Sequence, residues 1–271
     1  MAEREPGGAQ TLMVELLYEA PPHVDAEQIA ARVRETLAGT HAVGDAAGKA
    51  MLAHRDFPRE FEEGRKAILT LVVPPEQEKD GVDPERYDLS QSAAFPDAGA
   101  AVASARTTRL VAEMLGVGAP VRQRVSAFKT SLEAVIAETE PLAVWSPGAG
   151  ELLDPSALGQ HPLAGLVNVR RFQVKEDAHA EVMDTLGLHA LGMPDFQLHF
   201  RDLDPGAVAA HLLNLAAYAV DAEAPIESGD TVSGLEDDER WRVQLEQALV
   251  GPERLVLDID PGPPHAAGGR G

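Results

Sequence analysis

Two histidines and an aspartate that lie close together in the chain, His189, Asp195 and His199, have the side chains best suited to chemistry. The chain has no cysteine, so imidazole is the most suitable metal ligand that remains. If residues 184–190 and 196–202 pair as a hairpin around the turn at 192–195, the two imidazoles approach each other. The pattern therefore suggests a site of two histidines and one carboxylate. The more common situation is a pair of ordinary sheet histidines, one half-buried and one exposed.

Another histidine, His211, lies beside the apolar stripe of a predicted helix, with Asn214 and Tyr218 on the same side. A polar border of this kind is typical of a helix edge rather than of an active site.

A second candidate site is the acidic run Glu236, Asp237, Asp238 and Glu239. It belongs to the most acidic region of the chain, residues 220–262. Such a region can dock a basic protein, and its charge would speed association more than it tightens binding. The alternative is a solvated loop with no partner.

The charge of the whole chain limits its partners. Lys and Arg number 23 against 44 Asp and Glu, a net charge of −21, which repels phosphate backbones. Nucleic acid is therefore excluded as the main partner, and a basic protein or a cation suits the sign better. Acidity that serves solubility alone is the simpler alternative.

Motifs with a known catalytic mechanism are missing from the sequence. It contains no phosphate-binding P-loop, no zinc-protease helix motif, no nucleophile elbow and no EF-hand loop. Gly116 and Gly118 lead into Pro120 without a third glycine, so they do not form a dinucleotide-binding fingerprint. The sequence thus predicts no catalytic residue and no cofactor, and a non-enzymatic role is favoured.

The N-terminal half alternates strands and helices. Apolar runs predict strands at 11–18 and 66–73, and residues 42–54 and 107–115 are further strands, the last of these equally compatible with a helix. Asp25 opens a helix as a capping residue, and Pro120 begins a second helix with an apolar period of 3.6. A short strand follows at 142–145. Residues 76–95 form a long polar loop.

The C-terminal half has the clearer pattern. Residues 166–174 and 180–186 are predicted to be antiparallel strands, and 196–200 continues their sheet. Asp204 and Pro205 begin a helix whose stripe is Val208, Leu212, Leu215 and Ala219. A strand is expected after Asp230, a helix at 241–249 and a final strand at 254–259.

These elements predict an α+β fold, with antiparallel or mixed sheets, helices packed on one face and ferredoxin-like βαββ-type halves. The halves are assigned to 11–145 and 146–261, with one continuous domain as the alternative. Residues 1–10 are expected to be flexible and 262–271 to be disordered. No signal-peptide h-region and no apolar run of about 20 residues is seen, which predicts a cytoplasmic protein away from membranes.

Residues 183–220 (MDTLGLHALGMPDFQLHFRDLDPGAVAAHLLNLAAYAV) and 226–235 (IESGDTVSGL) resemble a bacterial family of domains of unknown function, family 4261. The segments 167–174, 241–262 and 95–116 extend this resemblance. Where relatives tend to carry tryptophan ahead of the Pro-Asp step, this chain has Ala93 and Phe95. The resemblance implies a bacterial cytoplasmic α+β protein with no established activity, cofactor or catalytic residue. It also implies an immunity-like or accessory role beside toxin systems.

Three functions are consistent with the sequence. The first is a non-enzymatic module that binds a basic protein through its acidic surface. The second is a metal-dependent enzyme or metal-binding protein that uses His189, Asp195 and His199. The third is a structural subunit of a larger assembly, and the sequence leaves the oligomeric state open.

Overall fold

The computed structural model describes residues 10–43, 50–60, 66–73, 82–92, 94–114, 116, 118–175, 177–222 and 225–268. The described residues form two compact units that divide between Leu166 and Val167. The predicted flexible segment 1–10 lies almost wholly outside the described residues, as does the first part of the predicted loop 76–95.

The N-terminal unit is built on one antiparallel sheet of seven strands in the order β2-β3-β4-β5-β1-β6-β7. Its strands are β1 (Met13–Tyr18), β2 (Thr40–Ala42), β3 (Ala50–Glu60), β4 (Lys66–Val73), β5 (Thr107–Met114), β6 (Ala143–Ser146) and β7 (Glu151–Leu153). The ambiguous segment at 107–115 is thus a strand. The unit extends beyond residue 145, where the sequence placed its end, because β7 pairs with β6 in the same sheet.

Helices cover both faces of this sheet. They are α1 (Ala26–Arg34), α2 (Ala98–Ser104) and α3 (Val121–Thr139). The hydroxyl of Tyr18 lies 2.8 Å from Thr139 of α3, whereas Leu17 packs with Ala98 and Val102 of α2. Since neighbouring residues of a strand point to opposite faces, α3 and α2 lie on opposite sides of β1.

The predicted helix starts are confirmed. Asp25 accepts hydrogen bonds from the backbone N–H groups of Glu27 and Gln28, and α3 begins directly after Pro120. Among the described residues, three short 3-10 helices lie in the connections, at Pro84–Arg86, Pro155–Gln160 and Leu188–Leu191.

The C-terminal unit contains a six-stranded sheet in the order β11-β12-β13-β10-β9-β8. Its strands are β8 (Asn168–Gln173), β9 (Ala180–Leu186), β10 (Asp195–Arg201), β11 (Thr231–Ser233), β12 (Arg240–Gln247) and β13 (Leu255–Asp260). β10 and β13 are parallel, and the other pairs are antiparallel. The expected pairing of β8 with β9 and of β9 with β10 is confirmed.

One helix, α4 (Pro205–Asp221), packs on β8, β9 and β10. Asp204 caps it, as predicted, by accepting a hydrogen bond from the N–H of Ala207. Its buried residues are spaced four apart in the chain: Val208, Leu212, Ala216 and Val220. The apolar stripe therefore includes Ala216 and Val220, whereas the sequence predicted Leu215 and Ala219. The buried strand residues Phe196, Leu198, Phe200, Val243 and Ile259 complete this core.

The predicted helix at 241–249 is wrong, because these residues form most of β12. Trp241 and Val243 are buried while Arg240, Arg242 and Gln244 are exposed, which is the alternation of a strand. β12 is held on both sides, by β11 and by β13. This tertiary pairing overrides the helix propensity of residues such as Leu245 and Gln247.

The segment after β13, predicted to be disordered from residue 262, is ordered as far as Gly268. Ala266 forms a bridge with Phe200, and the N–H of Ala267 donates to the carbonyl of His199. The backbone of this segment thus pairs with β10, and composition alone did not indicate this pairing. The α+β fold class is confirmed.

Candidate functional site

The connection between β9 and β10 brings His189 beside Asp195. Gly187 (φ 133°) and Gly192 (φ 85°) adopt positive φ angles on either side of the 3-10 helix Leu188–Leu191, a conformation that favours glycine. The chain therefore turns sharply enough to place Nδ1 of His189 3.3 Å from Oδ2 of Asp195. The His189 side chain is 32% exposed, whereas that of Asp195 is fully buried.

Both carboxylate oxygens of Asp195 are fixed. Oδ1 accepts hydrogen bonds from the hydroxyl of Thr185 (3.2 Å) and the N–H of Leu188 (3.0 Å). Oδ2 accepts one from Nε of Arg254 (3.1 Å) in addition to its contact with His189. A buried carboxylate with four donors is fully hydrogen-bonded and has its rotamer fixed.

His199 does not join this pair, so the predicted arrangement of two histidines and a carboxylate is not formed. His199 and Asp195 are four residues apart on the same extended strand, which separates their Cα atoms by about 13 Å. Nδ1 of His199 instead lies against Gly268, where an added Cβ would approach it to 2.7 Å. Within the described ranges, no three His, Asp or Glu side chains are grouped to hold a metal ion.

Arg254 links Asp195 to a second buried carboxylate, Asp184. Its Nη2 donates to Oδ2 of Asp184 (2.7 Å) and to the carbonyl of Thr185 (3.1 Å). Its Nη1 donates to the carbonyls of Val250 (3.3 Å) and Pro252 (2.9 Å). This guanidinium therefore ties the loop between β12 and β13 to the β9–β10 hairpin.

Asp184 is also held by Arg170, in a two-pronged pair with N–O distances of 2.9 and 2.6 Å. Burial raises the pKa of Asp184, and the hydrogen bonds from Arg170 and Arg254 act against that rise. We call Arg170, Asp184, Asp195 and Arg254, together with His189, the ionic cluster. Its two guanidinium groups balance its two carboxylates, and His189 is its most exposed member.

A row of paired residues extends the cluster across the sheet. Asp184 is opposite Arg170 on one side and Gln197 on the other, and Gln197 is opposite Asp258. Nε2 of Gln197 donates to Asp258 (3.0 Å), and its Oε1 accepts from the N–H of Leu249 (2.7 Å). This face of the sheet is buried but polar, and the loop after β12 is attached to it.

Sequence reasoning found His189 and Asp195 but missed Arg170, Asp184 and Arg254. The available signal was a single acidic residue inside an apolar strand, as in Val182–Leu186 around Asp184. Such a residue indicates a buried ion pair. Its partner Arg254 is 70 residues away in the chain, so the pattern could not identify it.

The acidic run lies in a short loop between β11 and β12, residues 234–239, which we call the acidic loop. Glu236, Asp237 and Asp238 are exposed. Glu239 turns inward, and its Oε2 accepts hydrogen bonds from the N–H groups of Leu235 (3.0 Å) and Glu236 (3.1 Å). The four residues therefore divide into three that face solvent and one that holds the loop in shape.

Two further contacts stabilise the acidic loop. Nη1 of Arg240 donates to the carbonyls of Asp237 (3.0 Å) and Glu239 (2.6 Å). At Gly234 an added Cβ would lie 2.4 Å from Oε2 of Glu239 and 2.6 Å from Nε1 of Trp241, so only glycine fits without displacement.

His211 lies beside the apolar stripe of α4, as predicted. Its ring packs edge-on against Trp241, with ring centroids 5.2 Å apart. Burial lowers the pKa of His211, which favours the neutral ring. The contact joins α4 to the strand that follows the acidic loop.

The N-terminal unit contains its own buried histidine. Nδ1 of His54 is 2.9 Å from Oγ1 of Thr40, and Nε2 is 3.3 Å from Oγ of Ser131. Burial lowers the pKa of His54 to about 4. All three side chains are buried, so this serine–histidine contact stabilises the core and has no access for a substrate.

Lys129 is another of the buried ionisable groups of that unit. Its Nζ donates to the carbonyls of Leu158 (2.6 Å) and Ala164 (3.0 Å) and lies 3.6 Å from Glu133. Burial lowers the pKa of Lys129. The contacts fasten the segment after β7 to α3, which is a structural role.

No helix among the described residues has both the length and the apolar character needed to cross a bilayer.

Comparison with known proteins gives one match. No curated protein and no solved structure matches the chain. The stretch from β9 to the last residue of β13, which contains His189, Asp195, Arg254 and the acidic loop, does match a family model. Residues 184–260, part of the chain, match a family described as a domain of unknown function (DUF4261).

Proposed function

We propose that the chain is a protein-binding module whose acidic loop docks on a basic surface of a partner protein. The observation that supports this proposal is that some residues of the loop are exposed while others fix its backbone. Glu236, Asp237 and Asp238 face solvent, while Glu239 and Arg240 hold the backbone beneath them.

The fixed backbone favours recognition because less conformational entropy is lost when a partner binds. Arg240 donates to backbone carbonyls instead of pairing with the exposed carboxylates. In the part of the chain that the structure describes, none of the three exposed carboxylates forms an ion pair. Their charge is therefore available to a partner.

The net charge of −21 acts in the same direction over a longer range. Charge complementarity mainly increases the association rate, and it weakens as salt screens it, with a Debye length of about 10 Å at 0.1 M. A basic partner would thus be attracted by the whole molecule and oriented by the acidic loop.

The proposal is tested by capture from an extract of the source organism with three versions of the full chain. These are the wild type, the loop variant E236Q/D237N/D238N and the control variant E19Q/E35Q/E140Q. Both variants lose three exposed carboxylates, so they have the same net charge. Bound proteins are quantified by mass spectrometry at low and at high salt.

We expect a protein that the wild type and the control variant capture equally and the loop variant captures about tenfold less. Its capture should decrease as salt increases. An equal loss in both variants would mean that only net charge matters, and no loss in either would mean that the loop does not bind. Both outcomes contradict the proposal.

A further inference from the structure

The hydrogen bond between His189 and Asp195 determines which ring nitrogen carries the proton. Both oxygens of Asp195 already accept hydrogen bonds from Thr185, Leu188 and Arg254. A carboxylate in this position can only accept, so neutral His189 must carry its hydrogen on Nδ1. Its Nε2 then has a free lone pair.

That lone pair is accessible. None of the described residues forms a hydrogen bond with Nε2 of His189, and this atom is not among the buried polar atoms that lack a partner. Because Nδ1 points to the fully buried Asp195 and the side chain is 32% exposed, we take the opposite edge of the ring, which carries Nε2, as its exposed part. The pair therefore combines a fully buried carboxylate with an imidazole whose reactive nitrogen can meet another molecule.

The rest of the ionic cluster keeps the pair in place. Arg254 makes five hydrogen bonds, to Asp195, Asp184 and three backbone carbonyls, and Asp184 is held in turn by Arg170. With His189 neutral, the four charges of the cluster cancel.

We propose that His189 and Asp195 form a proton-transfer site, in which Nε2 of His189 takes a proton from a water molecule or from a substrate hydroxyl. The O–H bond breaks, an N–H bond forms at Nε2, and the oxygen becomes a nucleophile. Asp195 orients the ring and stabilises the imidazolium without being protonated itself. When that oxygen attacks the carbonyl carbon of an ester, the bond from this carbon to the alkoxide leaving group breaks, and the alkoxide takes the proton from Nε2, which restores neutral His189.

This site is independent of the acidic loop. The acidic loop precedes β12, whereas the loop that carries Arg254 follows it. Eight residues of extended strand separate the two ends by about 25 Å. Failure of the binding proposal therefore leaves the proton-transfer proposal unaffected, and the reverse also holds. The inference departs from the non-enzymatic role that the sequence favoured.

Two measurements on the full chain test the proposal. Nitrogen NMR shifts of the histidine rings identify which nitrogen of neutral His189 carries hydrogen. Hydrolysis of ethyl dichloroacetate, an ester with a poor alkoxide leaving group, reports proton acceptance at Nε2, because imidazole acts on such esters as a general base and not as a nucleophile. The variants are H189Q, D195N and, as the control, H179Q at an exposed histidine.

We expect the Nδ1–H form in the wild type and a loss of hydrolysis of at least about tenfold in H189Q, with H179Q unchanged. In D195N, the donors Thr185 and Leu188 should retain the amide oxygen, so the amide nitrogen faces His189 and favours the Nε2–H form. An Nε2–H form in the wild type would overturn the proposal. Wild-type hydrolysis in H189Q would overturn it as well, and neither result depends on D195N folding.

Discussion

At the scale of single residues, Asp184 is the carboxylate of the ionic cluster that pairs with both of its arginines. It is fully buried and receives hydrogen bonds from both Arg170 and Arg254. The substitution D184N keeps the shape but removes the negative charge, which leaves two buried guanidinium groups with one carboxylate between them. We expect the free energy of unfolding to fall by about 3–5 kcal/mol in urea titrations.

The matched control is E181Q, which breaks the pair of Glu181 with Arg171 on the neighbouring strands. That arginine is half exposed, so the loss should be below about 1 kcal/mol. Equal losses in D184N and E181Q would show that the ionic cluster is no more important to stability than a surface ion pair.

His54 should make the stability of the N-terminal unit depend on pH. Its pKa is about 4 in the folded chain and 6.5 as the ordinary value. Between these values the unfolded chain binds a proton that the folded chain does not. This contribution to stability is complete above pH 6.5 and is lost as the pH falls toward 4, with a slope of up to about 1.4 kcal/mol per pH unit.

The measurement compares urea unfolding of the wild type and of H54Q across that pH range. H54Q should be less stable at neutral pH, because it disturbs the contacts with Thr40 and Ser131. Its stability should nevertheless decline less steeply toward acid. Parallel pH profiles for the two proteins would exclude His54 as the titrating group.

Sequence reasoning at this scale identified residues but not their partners. His189 and Asp195 were named together and do meet, because a turn between paired strands keeps them close in the chain. Arg254 reaches the same carboxylate from a loop 59 residues beyond Asp195, and His199 is carried away by the extended backbone of β10. Spacing along the chain predicts the contact between His189 and Asp195. It does not predict the contact of the distant Arg254 or the separation of His199.

At the scale of elements, helix capping gives a direct comparison between two aspartates. Asp204 accepts the N–H of Ala207 at the start of α4 (2.8 Å), whereas Asp97 at the start of α2 makes no capping hydrogen bond with its side chain. We expect D204A to lower the free energy of unfolding by about 1 kcal/mol. D97A should change it by less than about 0.5 kcal/mol. Chemical denaturation of both variants is the measurement, and a larger loss in D97A would refute this assignment of the cap.

Most elements were predictable because their signals are local. Asp25, Pro120, Asp204 and Pro205 marked helix starts, and the apolar runs marked β1, β4, β9 and β13. β12 was not predictable, since RWRVQLEQ suits either a helix or a strand. Its conformation is decided by β11 and β13, which pair with it from both sides.

At the scale of the whole molecule, the excess of acidic residues and the acidic loop should make different contributions to the proposed binding. The overall charge should accelerate the encounter with any basic protein, and the loop should determine which surface docks. The control variant E19Q/E35Q/E140Q and the loop variant E236Q/D237N/D238N separate these contributions, because each removes three exposed carboxylates.

The most direct test of the binding proposal is the association rate of the captured partner with each version of the chain, measured by stopped flow as ionic strength increases. We expect the wild type and the control variant to associate at similar rates at low salt, with similar steep salt dependence. The loop variant should associate about tenfold more slowly, with a flatter salt dependence. Identical rates and slopes for the two variants would contradict a docking role for the acidic loop.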